Sequence, residues 1–400
     1  MINIKVAQIN ITCGNGSTGK ICLAVSELLT EKVIDNRIYY TSGESDYPLG
    51  FRYMKPYEAK IQALKSRIFG NYGFNSKSAT KRLIKKLHEF SPDVIHLHNI
   101  HGHNVHLKLL FSYIKTNNIK LFWTFHDCWA FTGYCPHYTM AKCDKWETSC
   151  EKCKQKKHYT WFFDRSKTIF EKKKSLFSGL DLTIITPSQW LADQVKRSFL
   201  SGYPIRVINN GIDLEVFKPR KSDFRKKHNI EDKFILLGVA FDWGVRKGLD
   251  VFIELSKKLD SRFQIVLVGT NDKIDKQLPN NIISIHRTAN QIELAELYTA
   301  ADLFVNPTRE DTFPTVNLES LACGTPILTF YTGGSAECID EKSGAVVDCD
   351  DERALYDAIL KIEASKPFSS EDCRNRSLQF LAESKYSEYV EILLETASKN

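Results

Sequence analysis

Two kinds of segment alternate along almost the whole chain, and that alternation constrains the fold more than any other feature. Runs such as Ile4–Ile11, Val94–Ile100, Leu121–His126 and Leu182–Pro187 are apolar without a period of two. Phe234–Ala240, Gln264–Gly269, Ile282–Ile285, Leu303–Pro307, Pro326–Phe330 and Ala345–Asp348 repeat the pattern. Between them stand amphipathic stretches, among them Ile21–Lys32, Thr80–Phe90, Leu249–Leu259 and Gln291–Ala300. Strands apolar on both faces belong in parallel sheets covered by helices on both sides. The fold class is therefore α/β, doubly wound.

One such sheet seldom needs 400 residues, so two domains are expected. The segment Ile205–Lys233 reads as the link, because it holds Asn210-Gly211, Pro219 and the charged run Arg220–Lys227. The tail from Asp372 to Asn400 reads as one or two helices. In open α/β sheets, ligands sit outside the carboxyl ends of the strands, so the loops after strands are the places to search.

Charge divides with the domains. Residues 1–200 carry 30 Lys+Arg against 16 Asp+Glu, and residues 201–400 carry 25 against 32. Halves of +14 and −7 make up the net +7. The basic half points to an anionic partner. A nucleotide bound by the acidic half needs locally placed donors. No run of some 18 apolar residues occurs. The start, Met1 to Gln8, runs straight into a strand with no secretory pattern, so a cytoplasmic location is expected.

Several loops carry candidate chemistry. Gly14-Asn15-Gly16-Ser17-Thr18-Gly19-Lys20 follows the first strand and opens a helix. It lacks the Ser/Thr of a nucleotide triphosphatase, since Ile21 stands there. It also lacks the acidic residue of a dinucleotide site, since the next strand ends Tyr40-Thr41-Ser42. Gly16 and Gly19 remain candidates for an anion at a helix N-terminus, or for a plain tight turn. Five histidines, at 96, 98, 101, 103 and 106, crowd one strand end without a carboxylate or thiol at ligand spacing. His126 ends the next strand, where an imidazole can meet a sugar or phosphate. Cys135, Cys143, Cys150 and Cys153 then lie in a long loop. Four thiols ending in C-x-x-C suit a closed structural zinc site, and free thiols or a disulfide are the alternatives.

The second half has two such loops. Arg246-Lys247-Gly248 places cations where they could clamp a diphosphate. Asp311 follows the Leu303–Pro307 strand, and Pro314 suits the first position of a helix carrying Glu319. The N–H groups of Thr315 and Val316 would then face an anion. Glu319 could accept both hydroxyls of a ribose.

This last segment resembles the E-x7-E signature of the retaining glycosyltransferases of family 4, which have the GT-B fold. It reads Asn306-Pro307-Thr308-Arg309-Glu310-Asp311-Thr312-Phe313-Pro314, then Glu319-Ser320-Leu321-Ala322-Cys323-Gly324-Thr325-Pro326. Pro187-Ser188-Gln189-Trp190-Leu191, Asn209-Asn210-Gly211-Ile212-Asp213 with Phe217, and Gly333-Gly334 with Glu337 resemble other family stretches. The resemblance covers essentially the whole chain. The Cys135–Cys153 insert resembles one in a subgroup associated with bacterial surface polysaccharides.

What the resemblance implies is specific. Two Rossmann-like domains face across a cleft: residues 1–215 on the acceptor side, with the Cys-rich insert at 128–153, and residues 216–378 binding the nucleotide-sugar. A helix within 379–400 packs back on the first domain. The expected reaction moves a hexosyl group from a UDP- or GDP-sugar, UDP by preference, to a lipid-diphosphate-linked glycan in O-antigen, capsule or exopolysaccharide synthesis. His126, Asp311, Lys247 and Arg246 take the catalytic positions. Gly16, Gly19, Glu310, Phe313, Thr315, Val316 and Glu319 take the donor-binding ones. Either Asp311 or Glu310 fills the first acidic position. No D-x-D pair stands out beside these motifs, and metal-independent transfer is expected. The basic residues Lys55, Lys60, Lys65, Arg67, Lys77, Lys81, Arg82, Lys85 and Lys86 would draw the protein to the inner face of the cell membrane. No nucleic acid is expected as a partner. A non-catalytic GT-B scaffold, a sugar-nucleotide epimerase and a phosphorylase are the alternatives.

Overall fold

In this computed structural model residues 4–101 and 103–395 are described, and among them thirteen strands form two all-parallel sheets. The chain folds as two units. One comprises the chain up to Asn209 together with the segment from Lys385, and the other is Asn210–Ser384. Residues 1–3 and 396–400, on which parts of the expected terminal elements fall, lie outside the described residues.

The first sheet contains β1 (Lys5–Ile9), β2 (Asp35–Tyr40), β3 (Gly50–Arg52), β4 (Val94–Leu97), β5 (Lys120–Thr124), β6 (Leu182–Thr186) and β7 (Ile205–Val207). Their order is β3-β2-β1-β4-β5-β6-β7. The order reverses between β1 and β4, where Gln8 pairs with His96 and Ile9 with Leu97. The central strands are fully buried, as their unbroken apolar runs require. β7 lies inside the segment read as a link. It is an edge strand with Arg206 and Val207 exposed, so no apolar run announces it.

The second sheet contains β8 (Phe234–Val239), β9 (Phe263–Val268), β10 (Ile282–Ile285), β11 (Leu303–Asn306), β12 (Ile327–Tyr331) and β13 (Gly344–Asp348), in the order β10-β9-β8-β11-β12-β13. Here the order reverses between β8 and β11. Such reversals leave a crevice at the carboxyl ends of the two diverging strands. The loops after β8 and β11 are those that carry Arg246-Lys247 and Asp311.

After β13 come the helices Glu352–Ser365, Ser370–Ser377 and Ala382–Glu395, and the last two fall in the tail read as one or two helices. Tyr389, on the last of these, sets its ring 5.6 Å from that of His96 on β4. No helix among the described residues is long and apolar enough to cross a membrane.

Candidate active site

In the second unit, the loops after β8 and β11 converge. Lys247 Nζ lies 2.6 Å from Asp311 Oδ2, and both side chains are largely withdrawn from solvent. The two loops are laced together beneath that pair. Arg309 N–H donates to the Arg246 carbonyl at 2.9 Å. The Arg309 guanidinium forks onto Asp250, with two N···O distances of 2.9 Å, and reaches Asp350 through Nε at 2.5 Å. A bidentate pair of this kind fixes orientation as well as charge. Arg309 was not read from the sequence as a site residue, although it stands within the signature. Asp350 closes the single D-x-D spacing of the chain, Asp348-Cys349-Asp350, which the sequence reading passed over. Its bond to Arg309 gives this carboxylate a structural partner.

Asp311 is also held from behind. Gly333 has φ +50°, and a Cβ there would stand 1.6 Å from the Asp311 carbonyl oxygen. The Gly-Gly turn is therefore a close approach of one backbone to another. Glu310 is buried, and its carbonyl accepts from Thr308 Oγ1 and, at 3.5 Å, from Arg246 Nη1. Of the two acidic residues, the Asp311 carboxylate is the one paired with Lys247.

The helix Thr315–Ala322 begins one residue later than expected. Pro314 has ψ 118°, which is extended, so it is the N-cap and not the first helical residue. Thr315 and Val316 thus occupy the first two helical positions, where N–H groups have no intrahelical acceptor. Asn317, missed in the sequence, anchors this helix: its amide oxygen accepts from Asn306 at 2.7 Å and its nitrogen donates to Ser335 Oγ at 3.0 Å. Glu319 is half-buried. One of its carboxylate oxygens, Oε2, accepts from the hydroxyl of the fully buried Tyr298 at 3.0 Å. Burial, reinforced by the Glu319 charge, pushes the Tyr298 phenol well above its ordinary range. Phe313 is buried among the apolar side chains of the second unit. Its ring is in the core, 5.7 Å from Phe380, and its carbonyl accepts from Asn210 Nδ2 at 3.0 Å.

In the first unit, the histidines form a buried hydrogen-bonded series at the ends of β4 and β5. His126 Nε2 is 3.2 Å from His98 Nδ1, and His98 Nε2 is 3.2 Å from Gln8 Oε1. His96 Nε2 meets Thr124 Oγ1 at 2.8 Å. Burial holds His126 down to about 4 and His96 to about 3, so both are neutral near pH 7. His101 and Asp127 approach to 2.8 Å. Burial opposes the Asp127 charge, but His101 and the N–H of Trp129 outweigh it and hold the carboxyl near 2. No period or spacing foretold this pair. Gly16 has φ +67° at the start of the helix Gly16–Glu31. Gly19 is buried, and a Cβ on it would stand 2.5 Å from Thr12 Oγ1. That glycine lets the helix pack against the loop leaving β1.

Cys135, Cys143, Cys150 and Cys153 line one cavity with Tyr134 and Trp146. A hydrogen bond joins Cys135 to Cys153, raising the first thiol and lowering the second. Burial pushes Cys150 up to about 11, although Gly133 N–H donates to its sulfur at 3.2 Å. Beside them stands the buried Lys173. Its ammonium donates to the carbonyls of Trp129 (2.7 Å) and Thr132 (3.0 Å) and lies 3.4 Å from the centroid of the Trp129 ring. The four thiols lining this cavity are the donor type zinc takes, though no three of their sulfurs lie within 4.8 Å of one another.

Residues 41–216 match the family model described as Glycosyltransferase Family 4, and residues 231–365 that described as Glycosyl transferases group 1. A protein named for colanic acid biosynthesis, the glycosyl transferase WcaC of Escherichia coli (strain K12), is 23% identical over 381 residues, 91% of each chain. Sucrose-phosphate synthase (tll1590) from Thermosynechococcus elongatus has the same fold, with a TM-score of 0.73 at 16% identity over 100% of both chains. So has Anabaena Alr3699/HepE, solved with UDP, with a TM-score of 0.70 at 14% identity over 98% of this chain and 100% of that one. With two successive family segments on two parallel Rossmann-like sheets, the chain belongs to the family 4 glycosyltransferases of GT-B fold.

Proposed function

We propose that this glycosyltransferase is retaining. It moves a hexosyl group from a nucleotide-sugar, a UDP-sugar in preference to a GDP-sugar, to a lipid-diphosphate-linked glycan in bacterial O-antigen, capsule or exopolysaccharide assembly. The observation that carries the reading is the meeting of Lys247 and Asp311 at the reversal of the second sheet, on loops tied by Arg309. In this reading Lys247 and Arg246 neutralise the leaving diphosphate, helped by the first N–H groups of the helix Thr315–Ala322. Glu319, with one oxygen held by Tyr298, binds the ribose. Asp311 contacts the donor sugar, and neutral His126 offers a hydrogen bond to a sugar hydroxyl. Same-face attack with the departing phosphate as base needs no protein nucleophile and no catalytic metal. The first unit takes the acceptor and, through its basic residues, the inner face of the cell membrane. Zinc held by Cys135, Cys143, Cys150 and Cys153 would brace the insert without an open coordination position.

The names of relatives support the acceptor class: WcaC is named for colanic acid. HepE, also solved with UDP-glucose, supports the donor class. The deciding experiment is nucleotide release from UDP- and GDP-sugars with and without a lipid-diphosphate oligosaccharide. Acceptor-dependent UDP release that Glu319→Ala abolishes, with folding retained, is the expected result. Release without an acceptor favours an epimerase. No release and no donor binding by the folded protein leaves a non-catalytic scaffold.

A further inference from the structure

One face of the first unit carries an apolar ridge that its own core does not use. The helix Pro56–Phe69 buries only Ser66. Its Tyr57, Ile61 and Leu64, spaced as neighbours on one helical face, point to solvent. Trp161, Phe162 and Phe163 are three consecutive exposed aromatics, and all six side chains are 45 to 61% exposed. The two segments are joined. Trp161 N–H donates to the Arg67 carbonyl at 2.7 Å, and Thr160 Oγ1 to the same oxygen at 3.1 Å.

Charge selects what can cover such a ridge. Lys60, Lys65 and Lys157 are exposed around it. The two acidic residues in these stretches are engaged within the unit. Glu58 is bound by Arg82 and accepts from the Lys55 N–H at 2.8 Å, and Asp164 accepts from the N–H groups of Cys153 and Ser166. A second copy packed symmetrically would bring lysines against lysines. Large aromatics rimmed by cations fit the boundary between acyl chains and anionic headgroups. We propose that Tyr57, Ile61, Leu64 and Trp161-Phe162-Phe163 form the surface that seats this protein on an anionic lipid bilayer. The proposal rests on the membrane-surface part of the functional reading and moves it from a general basic field to a defined ridge.

The test uses the full chain and co-sedimentation with vesicles of phosphatidylethanolamine and phosphatidylglycerol, against vesicles of phosphatidylcholine alone. The wild type is expected to partition to the anionic vesicles, less so at high salt. Joint replacement of Trp161→Ser, Phe162→Ser and Phe163→Ser should lower the partition coefficient about tenfold or more, as should Ile61→Ser with Leu64→Ser. Because these side chains lie outside the core, UDP binding by calorimetry should stay unchanged. Turnover with a water-soluble acceptor on the same proteins reads the transferase separately. No vesicle binding by the wild type, or equal binding by the variants, would overturn the proposal. So would a change in oligomeric mass in the variants without a change in partition, which would make the ridge an interface between copies.

Discussion

The ammonium of Lys247 and the carboxylate of Asp311 stand 2.6 Å apart, although 64 residues separate them in the chain. The pair places a negative charge next to the cation proposed to neutralise a diphosphate. Lys247→Met should weaken UDP binding and lower kcat/KM by about two to three orders of magnitude, the usual cost of removing a donor that meets developing charge. Asp311→Asn should tighten UDP a few-fold, because a carboxylate no longer repels the phosphates, while turnover falls. Calorimetry with UDP beside steady-state kinetics checks both. Unchanged UDP affinity in Lys247→Met would remove the lysine from the diphosphate site.

Tyr298 acts through Glu319 and is a positioning residue. Its hydroxyl donates to one oxygen of Glu319 and so orients the carboxylate proposed to bind the ribose. Tyr298→Phe should raise the KM for the nucleotide-sugar about three- to tenfold with little change in kcat, the loss of one hydrogen bond to a charged group. A split falling on kcat instead would show that the tyrosine serves the reaction by another route.

The buried histidines set an acid limit on stability. His96 is held to about 3 and His126 to about 4, chiefly by burial, against about 6.5 in an unfolded chain. Between those values the unfolded state binds protons that the native state refuses. Stability is therefore complete above about pH 6.5 and falls as pH drops towards 4, by about 1.4 kcal/mol per pH unit for each such histidine. Melting temperature should be flat above neutrality and decline below about 6.5, before carboxylates titrate. A decline confined to pH below about 4 would contradict this.

The cysteine cavity and Lys173 can be separated experimentally. If zinc braces the insert, the purified protein should contain about one zinc per chain, and chelation or Cys150→Ser should lower the melting temperature by several degrees. Elemental analysis decides the first point and calorimetry the second. Lys173→Met leaves the carbonyls of Trp129 and Thr132 without their donor and should cost about 2–4 kcal/mol even in metal-loaded protein.

How much was legible follows from where each signal resides. The central strands show as unbroken apolar runs because both of their faces are buried, and β1, β4, β8 and β11 fall within such runs. The short edge strands β3 and β7 bury too little to show. Glu319 and Lys247 could be singled out because a family signature resides in contiguous sequence. Arg309, Tyr298, Asn317 and Lys173 were missed because each matters through a partner distant in the chain. Phe313 belonged to the signature, yet its ring serves the core.

The sequence by itself determined the α/β class, a division into two domains within residues 205–233 and the loops after strands as the places to search. These depend on local period, on turn residues and on motifs read along the chain. Only the tertiary structure decided that Lys247 meets Asp311, that Tyr298 holds Glu319 and that four cysteines share one cavity. It also decided that the aromatics at 161–163 lie beside the outward face of the helix Pro56–Phe69. Those relations join residues tens of positions apart. Strand order and helix packing create them, and no local pattern of hydrophobicity or charge encodes strand order.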